Sequence, residues 1–163
     1  DVVMYDYPKY GKSKGILTLK KLKKDAEFIY QNFKPKHQRI INYGRSLGTG
    51  LALHLSAHHN DSFEQTILET PYFSIKRMAE TFVFFYPLRL ILRERLKSYQ
   101  WISKIDHRVT IFHGSHDELI PWKQSESLIK HCKNGELCTI QGGTHNTLPL
   151  TEIYKKKIDL LLF

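Results

Sequence analysis

Cysteine is scarce in this sequence. Two residues, Cys132 and Cys138, stand near its end, with no second pair to complete a disulfide framework or a metal-ligand set. They read as buried or idle thiols of a reducing compartment. Also missing is any apolar run of about 18 residues that would cross a bilayer, and no secretory leader opens the chain, so a cytoplasmic location is expected. No internal repeat or low-complexity linker divides the 163 residues. No nucleic-acid-binding motif accompanies their charge.

What is present suffices for a core. Hydrophobic residues make up 41% of the chain, which predicts one globular unit over residues 1–163. The net charge of +9 is concentrated in Lys9, Lys12, Lys14, Lys20, Lys21, Lys23, Lys24, Lys34 and Lys36, and again in Lys155, Lys156 and Lys157. Such charge attracts nucleic acid or anionic lipid. Yet Leu19, Leu22, Ala26, Ile29 and Phe33 recur at helical spacing, which puts the intervening lysines on the solvated face of an amphipathic helix. Peripheral contact with an anionic membrane is compatible with that face; nucleic acid is not an expected partner.

Short apolar segments alternate with longer helical patterns. Val2 to Asp6, Arg39 to Tyr43, Thr66 to Glu69, Val109 to His113 and Leu137 to Ile140 read as strands. Thr18 to Phe33, Leu47 to His59, Trp122 to His131 and Thr151 to Phe163 read as helices, the third preceded by Pro121. The alternation predicts an α/β fold, a mainly parallel sheet with helices on both faces. Residues 74–104 are too long for one connection and combine Phe82, Val83, Phe84, Phe85 and Tyr86 with the breaker Pro87. They read as short helices, either a lid over an apolar pocket or helix surface packed on the sheet.

The chemistry is concentrated in three segments. Gly44-Arg45-Ser46-Leu47-Gly48 is a Gly-x-Ser-x-Gly directly after an apolar strand and directly before a helix. A sharp strand-to-helix turn strains the serine backbone, and side chains two residues away on either side would collide, hence glycine at 44 and 48. The same turn sets the Leu47 backbone N–H where it donates to an oxyanion at a helix N-terminus. Serine is a poor nucleophile near neutral pH, so the reading needs a histidine base and a carboxylate to orient it. Asp117 follows the strand ending at His113, and His145 follows the strand ending at Ile140. Ser46, Asp117, His145 is the order in which such a set occurs on an α/β sheet.

These segments resemble the alpha/beta-hydrolase superfamily, as does Asp6-Tyr7-Pro8-Lys9-Tyr10-Gly11-Lys12-Ser13-Lys14-Gly15, which is similar to the loop after that family's fourth strand. Pro8-Lys9 departs from the Arg-Gly of many relatives. The resemblance spans essentially the whole chain and points to the branch of monoacylglycerol-lipase-like esterases, serine aminopeptidases and acyl-protein-thioesterase-like enzymes. It implies hydrolysis of an ester or thioester in a small-molecule or acylated substrate, through an acyl-enzyme on Ser46, with no cofactor. It also implies three strands and a helix ahead of Asp1, so the chain reads as an N-terminally truncated domain. The loop that commonly gives the second oxyanion donor would lie in that missing part, and the 163-residue chain by itself is expected to be poorly folded or inactive.

Competing readings are a peptidase or amidase of the same fold, and a non-catalytic binding module that keeps the scaffold. His116 and Glu118 compete with Asp117 but fit the spacing less well. His113 reads either as a hydrogen-bonding support for the acid loop or as a structural residue. His54 and His58 form an i, i+4 pair without the glutamate of a zinc-hydrolase helix, so no metal is expected.

Overall fold

Four parallel strands organise the chain in the computed structural model, which describes residues 1–36, 39–74 and 97–163. They are β1 (Ile41–Arg45), β2 (Gln65–Glu69), β3 (Arg108–Gly114) and β4 (Gly135–Ile140), hydrogen-bonded in the order β1-β2-β3-β4. Arg45 stands opposite Glu69, and Glu69 opposite Phe112. β2, Gln-Thr-Ile-Leu-Glu, is buried along its whole length, as a parallel strand covered on both faces must be.

Alternation along the strands divides the core in two. Leu68, Val109 and Ile111 point to one face, where they meet Ala52, Leu53, Ile102, Ile105 and Leu128. Ile67, Phe112 and Ile140 point to the other, against Leu148, Tyr154 and Leu161. The first face carries α1 (Leu19–Phe33), α2 (Gly48–His58), α3 (Ser98–Ile102) and α4 (Lys123–Ile129), and the second carries α5 (Glu152–Leu162). The expected sheet with helices on both faces is therefore present.

The helices follow from their caps and apolar spacing. Thr18 accepts the Lys21 N–H at 3.1 Å and starts α1. That helix buries Leu19, Leu22, Ala26 and Tyr30 and leaves Lys20, Lys21 and Lys24 exposed. Tyr30 takes the buried place that the spacing argument gave to Ile29 and Phe33, because its ring packs on Phe63 and His59. α2 is apolar nearly all round, which suits a helix held between α1, α3 and the sheet.

Two expectations change. Val2 to Asp6 forms no strand: its backbone pairs with no strand of the described sheet, and residues 1–6 lie exposed. The strand read as Arg39 to Tyr43 starts and ends two residues later, running to the edge of the turn at Ser46. The lid assigned to 74–104 falls largely on residues 75–96, outside the described residues; its last part forms α3. Among the described residues no helix is long and apolar enough to cross a membrane.

Candidate active site

Parallel strands end on the same side of a sheet, so loops from distant parts of the sequence meet there. Ser46 follows β1, Asp117 follows β3 and His145 follows β4. Ser46 has φ +50°, a left-handed conformation that costs a non-glycine residue about 1–3 kcal/mol. Its N–H donates to the Glu69 carbonyl at 2.9 Å, which extends the β1–β2 ladder into the turn, and its own carbonyl accepts from the Thr49 N–H at 3.0 Å. A Cβ on Gly44 would lie 2.7 Å from the Gly48 carbonyl oxygen and 2.8 Å from Ala52 Cβ, so only glycine lets α2 cross the strand here. Gly48 is less constrained, since a Cβ there meets only the Tyr7 hydroxyl at 3.1 Å.

The three expected side chains come together. His145 Nε2 lies 3.1 Å from Ser46 Oγ, and His145 Nδ1 lies 2.8 Å from Asp117 Oδ2. Facing a carboxylate, Nδ1 carries the proton and donates it, which leaves Nε2 free to accept from the serine hydroxyl. His145 and Asp117 are buried, at 5% and 7% exposure, so water does not compete for these bonds. Asp117 Oδ1 accepts from the Leu119 and Ile120 N–H groups at 2.9 and 2.7 Å. Burial opposes ionisation of this carboxyl, but hydrogen bonds from His113, His145 and the Ile120 N–H outweigh it and hold Asp117 well below the usual carboxylate range.

His113 holds Asp117 in place. It is fully buried, with Nε2 2.8 Å from the Ile120 carbonyl and 3.3 Å from Asp117 Oδ2, and Nδ1 2.6 Å from Ser125 Oγ. Two acceptors at Nε2 place the proton there, and the Ser125 hydroxyl donates to Nδ1. His116 and Glu118 are not in the chain of contacts that reaches Ser46.

Leu47 opens α2, and among the described residues nothing accepts its backbone N–H. Leu47 lines an open cleft of about 310 Å³ together with Tyr5, Asp6, Tyr7, Tyr10, Arg45, Ser46 and Gly48. The tyrosine rings meet edge to face, with centroids 5.4 Å (Tyr5–Tyr7) and 6.3 Å (Tyr7–Tyr10) apart. The apolar pocket considered for residues 74–104 lies mainly outside the described residues, and Tyr72 just before them is buried in the core with Leu19, Leu22 and Leu51. No group of three or more His, Cys, Asp or Glu side chains among the described residues is arranged to hold a metal.

Other features of the site were not anticipated. Glu69, read only as a strand end, is fully buried, and its side chain pairs with Arg45 and accepts from two tyrosine hydroxyls. A charged residue closing the apolar run Thr66–Glu69 was the available signal. Gly114 and Gly143 touch backbone to backbone: a Cβ on Gly114 would lie 2.1 Å from the Gly143 carbonyl oxygen. That contact brings the loops of Asp117 and His145 side by side.

No family model matches the chain. Its sequence is 28% identical over 168 residues to human alpha/beta hydrolase domain-containing protein 17B, covering 97% of this chain and 54% of that protein. It is 26% identical to mouse protein 17C of the same description, covering 97% and 49%. The chain thus spans about half the length of these relatives. Among solved structures it superposes on the monoacylglycerol lipase of Paleococcus ferrophilus with TM-score 0.70 at 15% identity, covering 96% of this chain and 79% of the other. It also superposes on the Pyrococcus furiosus esterase Pf2001 with TM-score 0.74 at 16% identity, covering 96% and 67%. With a parallel sheet that carries its strained serine between β1 and α2, and with these likenesses in sequence and fold, the chain has the alpha/beta-hydrolase fold.

Proposed function

We propose that this chain carries the nucleophile, base and acid of a serine hydrolase that cleaves a carboxylic ester or thioester. The observation behind this reading is the unbroken chain of contacts from Ser46 Oγ through His145 to Asp117, at 3.1 and 2.8 Å. His145 takes the Ser46 proton as Oγ attacks the carbonyl carbon, and Asp117 orients the ring and stabilises its charged form. The Leu47 N–H donates to the oxyanion. Collapse of the tetrahedral intermediate expels the alcohol or thiol, protonated by His145, and leaves an acyl group on Ser46. A water deprotonated by His145 then releases the acid and restores the serine. No step calls for a cofactor. Tyr5, Tyr7 and Tyr10 beside Ser46 supply an aromatic wall for an acyl group, which favours an acylated substrate over a small polar one.

The test uses the full-length polypeptide that contains this chain. A fluorophosphonate probe is expected to label it, and Ser46→Ala to abolish labelling. Acyl p-nitrophenyl esters and acyl thioesters of graded chain length are expected to turn over faster than aminoacyl-anilides. Folded protein that takes no label would point to a non-catalytic binding module instead, and faster cleavage of the anilides to a peptidase.

A further inference from the structure

Ser46 and His145 must stay within hydrogen-bond reach although they lie 99 residues apart on different loops. Asp117 holds the imidazole ring from one side. The backbone of the same histidine is held from the other side by the residue next to the nucleophile. Arg45 Nη2 donates to the His145 carbonyl at 2.9 Å and to Asn146 Oδ1 at 3.1 Å. The Nε edge of the same guanidinium forms an ion pair with Glu69 Oε1 at 2.8 Å, off hydrogen-bond alignment.

Glu69 has no exposed side-chain surface. A carboxylate in that setting costs several kcal/mol unless charge and donors compensate it. Arg45 supplies the charge, while Tyr154 on α5 donates to Oε2 at 2.8 Å and Tyr43 donates to the same oxygen. Burial and the neighbouring carboxylate push both phenols up, Tyr154 to about 12, so they remain donors. The Glu69 backbone carbonyl meanwhile accepts the Ser46 N–H at 2.9 Å. One buried residue thus holds the serine through its main chain and the base through Arg45.

We propose that Arg45 and Glu69 are a positioning pair for the general base, fixing the loop of His145 in register with Ser46; this rests on the serine-hydrolase reading above. Neither side chain touches the reacting atoms. The planar guanidinium suits the task because it presents one edge to Glu69 and another to the His145 carbonyl at once, which a lysine ammonium cannot do in a fixed geometry. A displacement of about 1 Å between reacting groups costs on the order of 100-fold in rate.

The experiment compares Arg45→Met, Arg45→Lys, Glu69→Gln and the double variant Arg45→Met/Glu69→Gln with the wild type, all in the full-length polypeptide. Expected is a fall in kcat of about 10- to 100-fold for Arg45→Met and Glu69→Gln with KM changed little, and partial recovery in Arg45→Lys. The acid limb of the kcat/KM profile is expected to move in opposite directions. Arg45→Met removes a cation and leaves a bare carboxylate, so the base protonates more readily; Glu69→Gln leaves the cation uncompensated, so it protonates less readily. A residue that only supported folding would lower activity in step with stability and move neither limb. Should a single variant fail to fold, the double variant removes both charges together and decides the matter by its kcat, read beside its melting temperature. Wild-type kcat and an unmoved pH profile in folded variants of a protein that takes the fluorophosphonate label would overturn the pair's role and leave the reading of Ser46 intact. A wild type that takes no label would instead overturn the reading itself.

Discussion

His54 shows how a single buried ring sets a pH response. Its side chain is 13% exposed on α2, with Nε2 3.3 Å from Glu27 Oε1 on α1, an arrangement that resembles an ion pair. Burial, reinforced by the neighbouring His58, nevertheless lowers His54 to about 4 against the attraction of Glu27. The ring is therefore neutral at pH 7, and its approach to Glu27 is not an ion pair there. Nδ1 is buried without a partner. In the unfolded chain the ring protonates near its ordinary value, so the unfolded state binds the extra proton first as pH falls. Stability is complete above about pH 6.5 and declines toward pH 4, by at most about 3 kcal/mol from this group. His107, also lowered chiefly by burial, contributes with the same sign. We expect His54→Leu to flatten, without abolishing, the fall of the urea midpoint between pH 6.5 and 4.5, since His107 contributes with the same sign. Wild type and variant that lose stability in parallel over that range would exclude His54 as the source.

At the scale of elements, the site depends on how closely two loops approach. β3 and β4 are neighbours, and the loops that follow them carry Asp117 and His145. The Ser115 N–H donates to the Ile140 carbonyl at 3.0 Å and the His116 N–H to the Gly143 carbonyl at 3.0 Å, so the two loops are laced together by main chain. A methyl group at 114 would overlap the Gly143 carbonyl. Gly114→Ala is expected to push the His145 loop away, to cost about 1–3 kcal/mol through overpacking, and to slow fluorophosphonate labelling by on the order of 100-fold. Labelling at the wild-type rate would mean that the glycine contact does not set the base.

The elements themselves were readable because periodicity carries them: the four strands of the sheet and the four longer helices stand where alternation and caps predicted, within a few residues. Ser46, Asp117 and His145 were readable for a different reason, since each follows a strand and the strain at Ser46 demands glycine beside it. The Glu69–Arg45 contact was not. It depends on register, which sets Arg45 opposite Glu69 across two strands and brings Tyr154 from the far end of the chain; no local pattern encodes such a meeting. Val2 to Asp6 was misread because its composition is strand-like, whereas a strand also needs a neighbour.

Over the whole molecule, positive charge is in excess. The chain has 25 Lys and Arg against 16 Asp and Glu. α1 shares a core cluster with the cleft wall: Tyr7 packs against the cluster that contains Leu19 and Leu22, and Asp25 contributes to raising Tyr5. The exposed Lys20, Lys21 and Lys24 stand on α1, and the exposed Lys9, Lys12 and Lys14 flank in sequence the cleft-lining Asp6, Tyr7 and Tyr10. We propose that peripheral contact with an anionic bilayer uses this face, at about 1 kcal/mol per lysine close to the surface. Vesicles of phosphatidylcholine with phosphatidylserine are expected to co-sediment the full-length protein at low salt. Release is expected as the Debye length shrinks from ~10 Å at 0.1 M to ~3 Å at 1 M. Lys20→Glu/Lys24→Glu should weaken that association while leaving the kcat on a short, soluble ester unchanged, because neither residue lines the cleft at Ser46. Equal binding to neutral and anionic vesicles, or binding indifferent to salt, would assign the lysines to solvation alone.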